Sequence, residues 1–453
     1  MQRVPVYYVW IPILSSTVVL ALLGFVLFRG PRVVAPRPMD GEQLLSQVVA
    51  LVEERYIREV DEMEIAYDAI RGMVEGLDPY SQFYDPREKG DFQEETEGKF
   101  GGIGVSVIPR DGYLTVNYPI LGSPADRAGV LPCERFVGVA GEEFGLVRTR
   151  RDQDAIIDRL KGRPGTEVVV TVEAEDGERR EVTLVRESIP RHSVLGVEVL
   201  DPDARIGYLM IQGFQENTIA EFDEAVRKLM RGPGIRSLIV DLRFNPGGIL
   251  NAAVELADRF LPSGIIVSTR GRRAQASRDY RAGAANTLPE DLGLVVLING
   301  EAASASEVFA GAIQDHRRGV LVGEPTYGKG VVQNVLYLNG EEVVLKVTSA
   351  AYFTPSGRCI EKRVDVPGVG VNDGGISPDV LVRRAPRLEG RPSFERYLIR
   401  ERPGENYREG VIPCRPFDTE GYRDPQLDTA ISTLRGEPVF QQILGNPAGE
   451  GGE

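Results

Sequence analysis

From Ile206 to Val322 the sequence alternates short apolar runs with amphipathic helical stretches, and this order leaves few architectures open. Residues 208–211, 238–242, 294–298 and 320–322 read as buried strands. Between them, apolar residues recur at helical spacing. Ile219, Phe222, Ala225, Val226 and Leu229 form one stripe, and Leu250, Ala253, Val254, Ala257 and Phe260 form the next. A third helix runs through Val308 and Ile313. Thr218-Ile-Ala-Glu221 has the pattern of a capping box opening the first helix. Strands apolar on both faces and separated by helices require an α/β sheet with helices packed on it. Further on, 331–338 and 343–348 flank Asn339-Gly340, a hairpin signal.

The flanks follow other rules. Residues 9–28 run about 20 positions without a charge, long enough to cross a bilayer as a helix. Tyr7, Tyr8 and Trp10 stand at one end, where aromatic side chains favour the interface. An uncleaved anchor with its linker is therefore expected over 1–38. A helical segment follows over 39–98, with Leu44, Leu45, Val48, Leu51 and Val52 on one stripe and Ile65, Ala66, Ala69, Ile70, Met73 and Val74 on another. It is a candidate surface for homodimer formation. From Phe100 the pattern changes to short strands. A glycine-rich turn, Gly101-Gly102-Ile103-Gly104, enters a strand, and a helix carries Ala155, Ile156 and Leu160. Val168, Val170 and Val172 alternate, and Val182 and Leu184 return after Asp176-Gly177. This unit, 99–188, resembles a PDZ domain. The α/β core spans 189–383. An extension over 384–453, rich in Arg, Pro, Gly and Glu, is expected to wrap the surface, with a short helix over 427–434.

Composition excludes several functions. A formal net charge of −14 argues against nucleic acid, which needs clustered Lys and Arg. Cys133, Cys359 and Cys414 are far apart, as are His192 and His316, so no metal-ligand spacing exists and neither metal nor cofactor is expected. One long-range disulfide stays open outside the cytosol.

Three loops at strand ends carry groups capable of chemistry. Asp241-Leu-Arg-Phe-Asn-Pro-Gly247-Gly248 ends a strand in a turn whose N–H groups are free to face a developing negative charge. In Asn299-Gly-Glu-Ala-Ala-Ser304-Ala305-Ser306-Glu307, small residues surround a serine at a helix start. Read alone, Ser304 is an ordinary N-cap. In Thr326-Tyr-Gly-Lys329-Gly-Val-Val-Gln333, an extended backbone sends Lys329, Val331 and Gln333 to one side. A lysine desolvated there loses its proton near neutral pH and acts as a general base.

Together these segments resemble the carboxyl-terminal processing peptidases, or tail-specific proteases. Leu77-Asp78-Pro79-Tyr80-Ser81, Gln314-Asp315-His316, Tyr352-Phe-Thr-Pro355-Ser-Gly357-Arg and Ile376-Ser-Pro378-Asp379 also fit, so the resemblance spans about residues 40–380. It implies a crotonase-like protease core with an inserted PDZ-like domain, and a serine endopeptidase working outside the cytoplasm, in the periplasm or at an outer membrane face. It makes Ser304 the nucleophile in preference to Ser306, and Lys329 the base, 25 positions later (329 − 304). Gln333 would support the lysine. Backbone N–H groups of Ala305 and of Gly247 or Gly248 would hold the oxyanion. Gly101, Gly102, Ile103 and Gly104 would bind the C-terminal carboxylate of a protein or peptide substrate, added as a strand. Three departures stand out. Leu131-Pro-Cys133-Glu134 replaces the family's Pro-Gly-Asp, and Glu301-Ala302-Ala303 precedes the nucleophile where glycine or serine is commoner. A longer segment, 361–375, is expected to form a surface loop. Two competing readings are a catalytically inactive membrane-tethered PDZ adaptor and a crotonase-like acyl-CoA enzyme.

Overall fold

The computed structural model describes residues 40–90, 92, 99–340, 342–366, 368–369, 373–383 and 424–436. The expected anchor over 9–28 lies outside them. Among the described residues no helix is long and apolar enough to cross a membrane. The chain divides into two compact units, 1–70 and 71–453. In the first, the helix Gly41–Arg55 is capped by Asp40 and leaves Leu44, Leu45, Val48 and Leu51 at least 40% exposed.

The centre of the second unit is a six-stranded sheet. Its order is Val194–Asp201, Ile206–Ile211, Ser237–Asp241, Gly293–Ile298, Val320–Gly323 and Val380–Leu381. The first pair is antiparallel and the rest are parallel. Successive residues of each strand serve opposite faces. Leu238, Val240, Leu294, Val296 and Ile298 pack with Phe222, Leu256, Phe260 and Phe309 from the helices Thr218–Arg231, Leu250–Asp258 and Ala305–Asp315. Ile239, Val295, Leu297 and Val322 pack on the other side with Leu427 and Ala430. The helix Pro425–Leu434 therefore closes the second face of the sheet, while the rest of the expected extension, 384–423 and 437–453, lies outside the described residues.

An arginine fixes that closure. Arg243 is 2% exposed; its guanidinium donates to Asp241 at 2.7–3.1 Å, to both oxygens of Asp424 at 2.8 and 2.9 Å and to Gln426 at 3.1 Å. Burial opposes its charge, and Asp241 and Asp424 overcome that, holding its pKa well above the ordinary value. Replacing Arg243 by leucine strands two carboxylates side by side in the core. Arg243→Leu is expected to lose about 3–5 kcal/mol of stability in denaturant unfolding. A variant within about 1 kcal/mol of the parent would show that the network contributes little.

Three details depart from the sequence expectations. Thr218 opens its helix but does not cap it. Asn217 is the N-cap, and Glu221 reaches sideways to the N–H groups of Ser193 and Val194. Three strands, Gln82–Tyr84, Gly264–Gly271 and Arg278–Ala282, were not read from the sequence. They join an antiparallel sheet with the hairpin Val331–Leu338 and Val343–Phe353. The segment from Glu361 is anchored, since Glu361 is buried and accepts the Gly330 N–H at 2.8 Å. The disulfide that the sequence left open is present at Cys133, and Cys359 takes no part in one.

Residues 99–188 form a body with a separate core, built on Ile103, Leu114, Val116, Phe136, Val170 and Val172. Its sheet runs in the order Val105–Arg110, Tyr113–Pro119, Arg135–Val139, Glu167–Glu173, Arg179–Val185, so Val105–Arg110 is an edge strand. The helix Arg150–Leu160 carries a Thr149–Asp152 capping box.

Candidate active site

Ser304 stands between the strand Gly293–Ile298 and the helix Ala305–Asp315, 7% exposed. An N-cap serine normally has extended backbone angles. Ser304 has φ 57° and ψ −113°, a conformation that costs about 1–3 kcal/mol in a non-glycine residue and collects at functional sites. The surroundings hold it there. Asn299 Oδ1 accepts the N–H groups of Phe244, Glu301 and Ala302 at 3.0–3.2 Å, and the Asn245 carbonyl accepts the Ala303 N–H and the Ser306 hydroxyl. Ser306, the other serine of the run, thus has a structural bond.

The Pro-Gly-Gly turn lies against this serine. Gly247 has φ 101°, and a Cβ there would sit 2.8 Å from the Ser304 Cβ and 2.7 Å from the Ala303 carbonyl oxygen. Gly248 has φ 138°, and its Cβ would sit 2.0 Å from the Phe214 carbonyl oxygen. Both positions require glycine. The two amides differ. Gly247 donates to Asn245 Oδ1 at 2.9 Å, whereas no hydrogen bond among the described residues engages the Gly248 or Ala305 N–H. Gly248 is the better matched partner of Ala305.

The lysine loop is joined to the serine by one carboxylate. Glu307 is fully buried and accepts four hydrogen bonds. They come from the Ser304 N–H at 2.8 Å, the Thr326 hydroxyl at 2.5 Å, and the Gly328 and Lys329 N–H groups at 2.7 and 2.8 Å. Burial raises its pKa, while these donors favour the ionised form and oppose the rise. Lys329 Nζ lies 4.9 Å from the centre of the Tyr80 ring, whose quadrupole attracts an ammonium. Tyr80 is presented by a turn in which Asp78 accepts the Tyr80 and Ser81 N–H groups and the Ser81 hydroxyl. Burial lifts the Tyr80 phenol to about 12, so it is neutral at any working pH.

Ser304, Lys329, Gln333, Gly247 and Gly248 all line one cavity of about 600 Å³; Ala305 does not line it, and its N lies 3.0 Å from where a Cβ on Gly247 would sit. The expected alternation along the lysine strand does not hold. A bulge between Val332 and Gln333 turns both side chains to the cavity, and Val331 goes into the core. Gln333 donates to the Val331 carbonyl at 3.5 Å, a long contact on its own strand.

A second cavity, of about 440 Å³, lies between the edge strand Val105–Arg110 and the helix Arg150–Leu160. Gly102, Ile103 and Gly104 line it. Gly101 does not; it pairs with Ser188 and its carbonyl accepts the Gly162 N–H. The departure at Cys133 is conformational as well as chemical, because Cys133 takes φ 69° where the family pattern has glycine. Glu134 beside it is buried against Arg180, at 2.9 Å.

Sequence reasoning missed Glu307, Asn245, Asn299 and Tyr80 as parts of the site. The one available signal was that each lies inside a motif already singled out, two of them, Asn245 and Asn299, polar groups just past a strand end.

Residues 205–382 match the model of Peptidase family S41. Over 401 residues the chain is 32% identical to a carboxy-terminal-processing protease of Bartonella bacilliformis, covering 85% of this chain and 86% of that one. Over 343 residues it is 31% identical to a probable CtpA-like serine protease of Staphylococcus aureus, covering 75% of this chain and 64% of the relative. Among solved structures, the photosystem II D1 C-terminal processing protease aligns with a TM-score of 0.42 at 29% identity, over 76% of this chain and 94% of that one.

Proposed function

The chain belongs to peptidase family S41 and is a serine-type peptidase, and from that premise we propose that it is a carboxyl-terminal processing endopeptidase in which Ser304 attacks and Lys329 is the general base. The observation that carries the reading is the Glu307 carboxylate, which bonds the backbones of both residues and fixes one against the other.

The chemistry follows from the arrangement. A peptide filling the cavity expels water, which disfavours the Lys329 ammonium and opposes the attraction of the Tyr80 ring. Neutral Lys329 takes the Ser304 proton as the oxygen attacks the peptide carbonyl. The oxyanion rests on the Gly248 and Ala305 N–H groups; one such donor is worth about 100–1,000-fold in rate. Lys329 then protonates the leaving amine, and water hydrolyses the acyl-enzyme. Gln333 supports the lysine once substrate tightens the site.

In this reading 99–188 is a PDZ domain. The open edge of Val105–Arg110 accepts the tail as an added strand, and the loop at Ile103–Gly104 receives its carboxylate. The apolar run 9–28 anchors the chain in a membrane, with the body outside the cytoplasm. The disulfide at Cys133 supports that side, since disulfides persist in oxidising compartments.

Amidating the C-terminus of an otherwise identical apolar-ended peptide tests the tail recognition. Loss of one charge-assisted hydrogen-bond set is expected to lower kcat/KM about tenfold or more. Equal cleavage of the two peptides would retain the peptidase and refute recognition of the terminus.

A further inference from the structure

The two cavities are not separate. Arg191, His192 and Gln212 line both, so the path from the tail groove to Ser304 passes over these three residues. The charge along that path is one-sided. Although the chain carries a formal net charge of −14, among the described residues no Asp or Glu lines either cavity, while Lys99 and Lys161 line the first, Lys346 the second and Arg191 both.

Arg191 is the residue best placed to act on a passing peptide. Its backbone is pinned, since its carbonyl accepts the Asn217 amide at 3.1 Å and the next residue, His192, holds Glu221 at 3.0 Å. Glu221 thereby offsets any charge on His192 and also takes the Ser193 N–H. The guanidinium of Arg191 is exposed, and among the described residues no carboxylate lies within ion-pair distance of it. The first cavity, by contrast, is walled by Ile103, Val105, Val107, Ile157, Leu160 and Leu195, which suit an apolar terminal residue.

Resting on the tail-cleaving reading above, we infer that the preferred substrate tail is bipartite: an apolar C-terminal residue, with an Asp or Glu upstream that meets Arg191 as the peptide crosses between the cavities. A planar guanidinium binds a carboxylate through two parallel hydrogen bonds. The surrounding lysines add a field that draws acidic peptides in and weakens with salt.

The test uses the full-length protein and peptides that share an apolar free C-terminus and a cleavage sequence. Glu, Gln or Lys is placed in turn at each position between the two. At the position facing Arg191, kcat/KM is expected to fall from Glu to Gln to Lys. Each step is about threefold to fivefold at low ionic strength, and the spread narrows as salt rises. In Arg191→Glu the order is expected to invert, with the Lys peptide cut faster than the Glu peptide, which a general loss of folding cannot produce. Equal rates for the three peptides at every position, or an unchanged order in Arg191→Glu, would overturn the inference and leave the peptidase reading intact. No cleavage of any of them would instead overturn the tail-cleaving reading, and this inference with it.

Discussion

Ser304→Ala and Lys329→Ala are each expected to lower kcat for peptide cleavage by about 10⁴-fold or more, and the double variant no further than the worse single one. Groups that act as one nucleophile–base unit are not additive, because either loss already disables the step that the other serves. Two independent contributors would instead multiply. The background expected to survive would come from substrate positioning and from the proposed oxyanion donors, the Gly248 and Ala305 amides, which neither substitution removes. A serine-directed covalent probe separates the roles. Ser304→Ala should abolish labelling. Lys329→Ala should leave the hydroxyl in place but slow its labelling severely, because the proton has no acceptor. The labelled peptide should carry the adduct at Ser304 and not at Ser306, whose hydroxyl is committed to the Asn245 carbonyl at 3.1 Å. Appreciable turnover in either single variant, or an adduct on Ser306, would remove the dyad.

What made the segments of the proposed dyad stand out in the sequence was local. The parallel strands are apolar on both faces, so runs such as Leu238, Ile239 and Val240 announce themselves. Asn339 and Gly340 take the positive φ values, 50° and 64°, that a tight hairpin demands. The strands Gly264–Gly271 and Arg278–Ala282 carry arginine and serine among their apolar residues, and periodicity is weak there. What the sequence hid was long-range. Glu307 reads as an acidic residue in a first helical turn, which is common. Its meaning depends on the loop at Thr326–Lys329, 19–22 positions further along the chain and beyond the strand Val320–Gly323. Arg243 and Asp424 are 181 positions apart and bond only because the helix Pro425–Leu434 closes the sheet. The bulge at Val332 is set by register with Thr348 and Ala350, and no residue type marks it. Thr218 misled for the converse reason. Its spacing from Glu221 fits a capping box, but Ser193, Val194 and His192 compete for that carboxylate and win.

Glu307→Gln should be nearly as damaging as a truncation, although it preserves shape and volume. Each carboxylate oxygen accepts two donors: Oε1 takes the Thr326 hydroxyl and the Gly328 N–H, and Oε2 takes the Ser304 and Lys329 N–H groups. A glutamine must turn its NH₂ toward one of these pairs, setting donors against donors in a site with no exposure to water. Each donor left without an acceptor costs about 1–3 kcal/mol. The loop relieves that cost by moving, and the segments free to move are those carrying Ser304 and Lys329. A displacement of about 1 Å between nucleophile and base costs about 100-fold in rate. The expected result is therefore a split: kcat falls about 100-fold, while KM for a tail peptide changes little, since the proposed tail groove at Ile103–Gly104 and the proposed path at Arg191 are untouched. A residue that served stability alone would lower the folded fraction and leave kcat per folded enzyme intact. Counting folded enzyme by its thermal transition, and normalising kcat to it, distinguishes the two. Full normalised kcat in Glu307→Gln would mean that Ser304 and Lys329 are aligned by something other than the carboxylate between them.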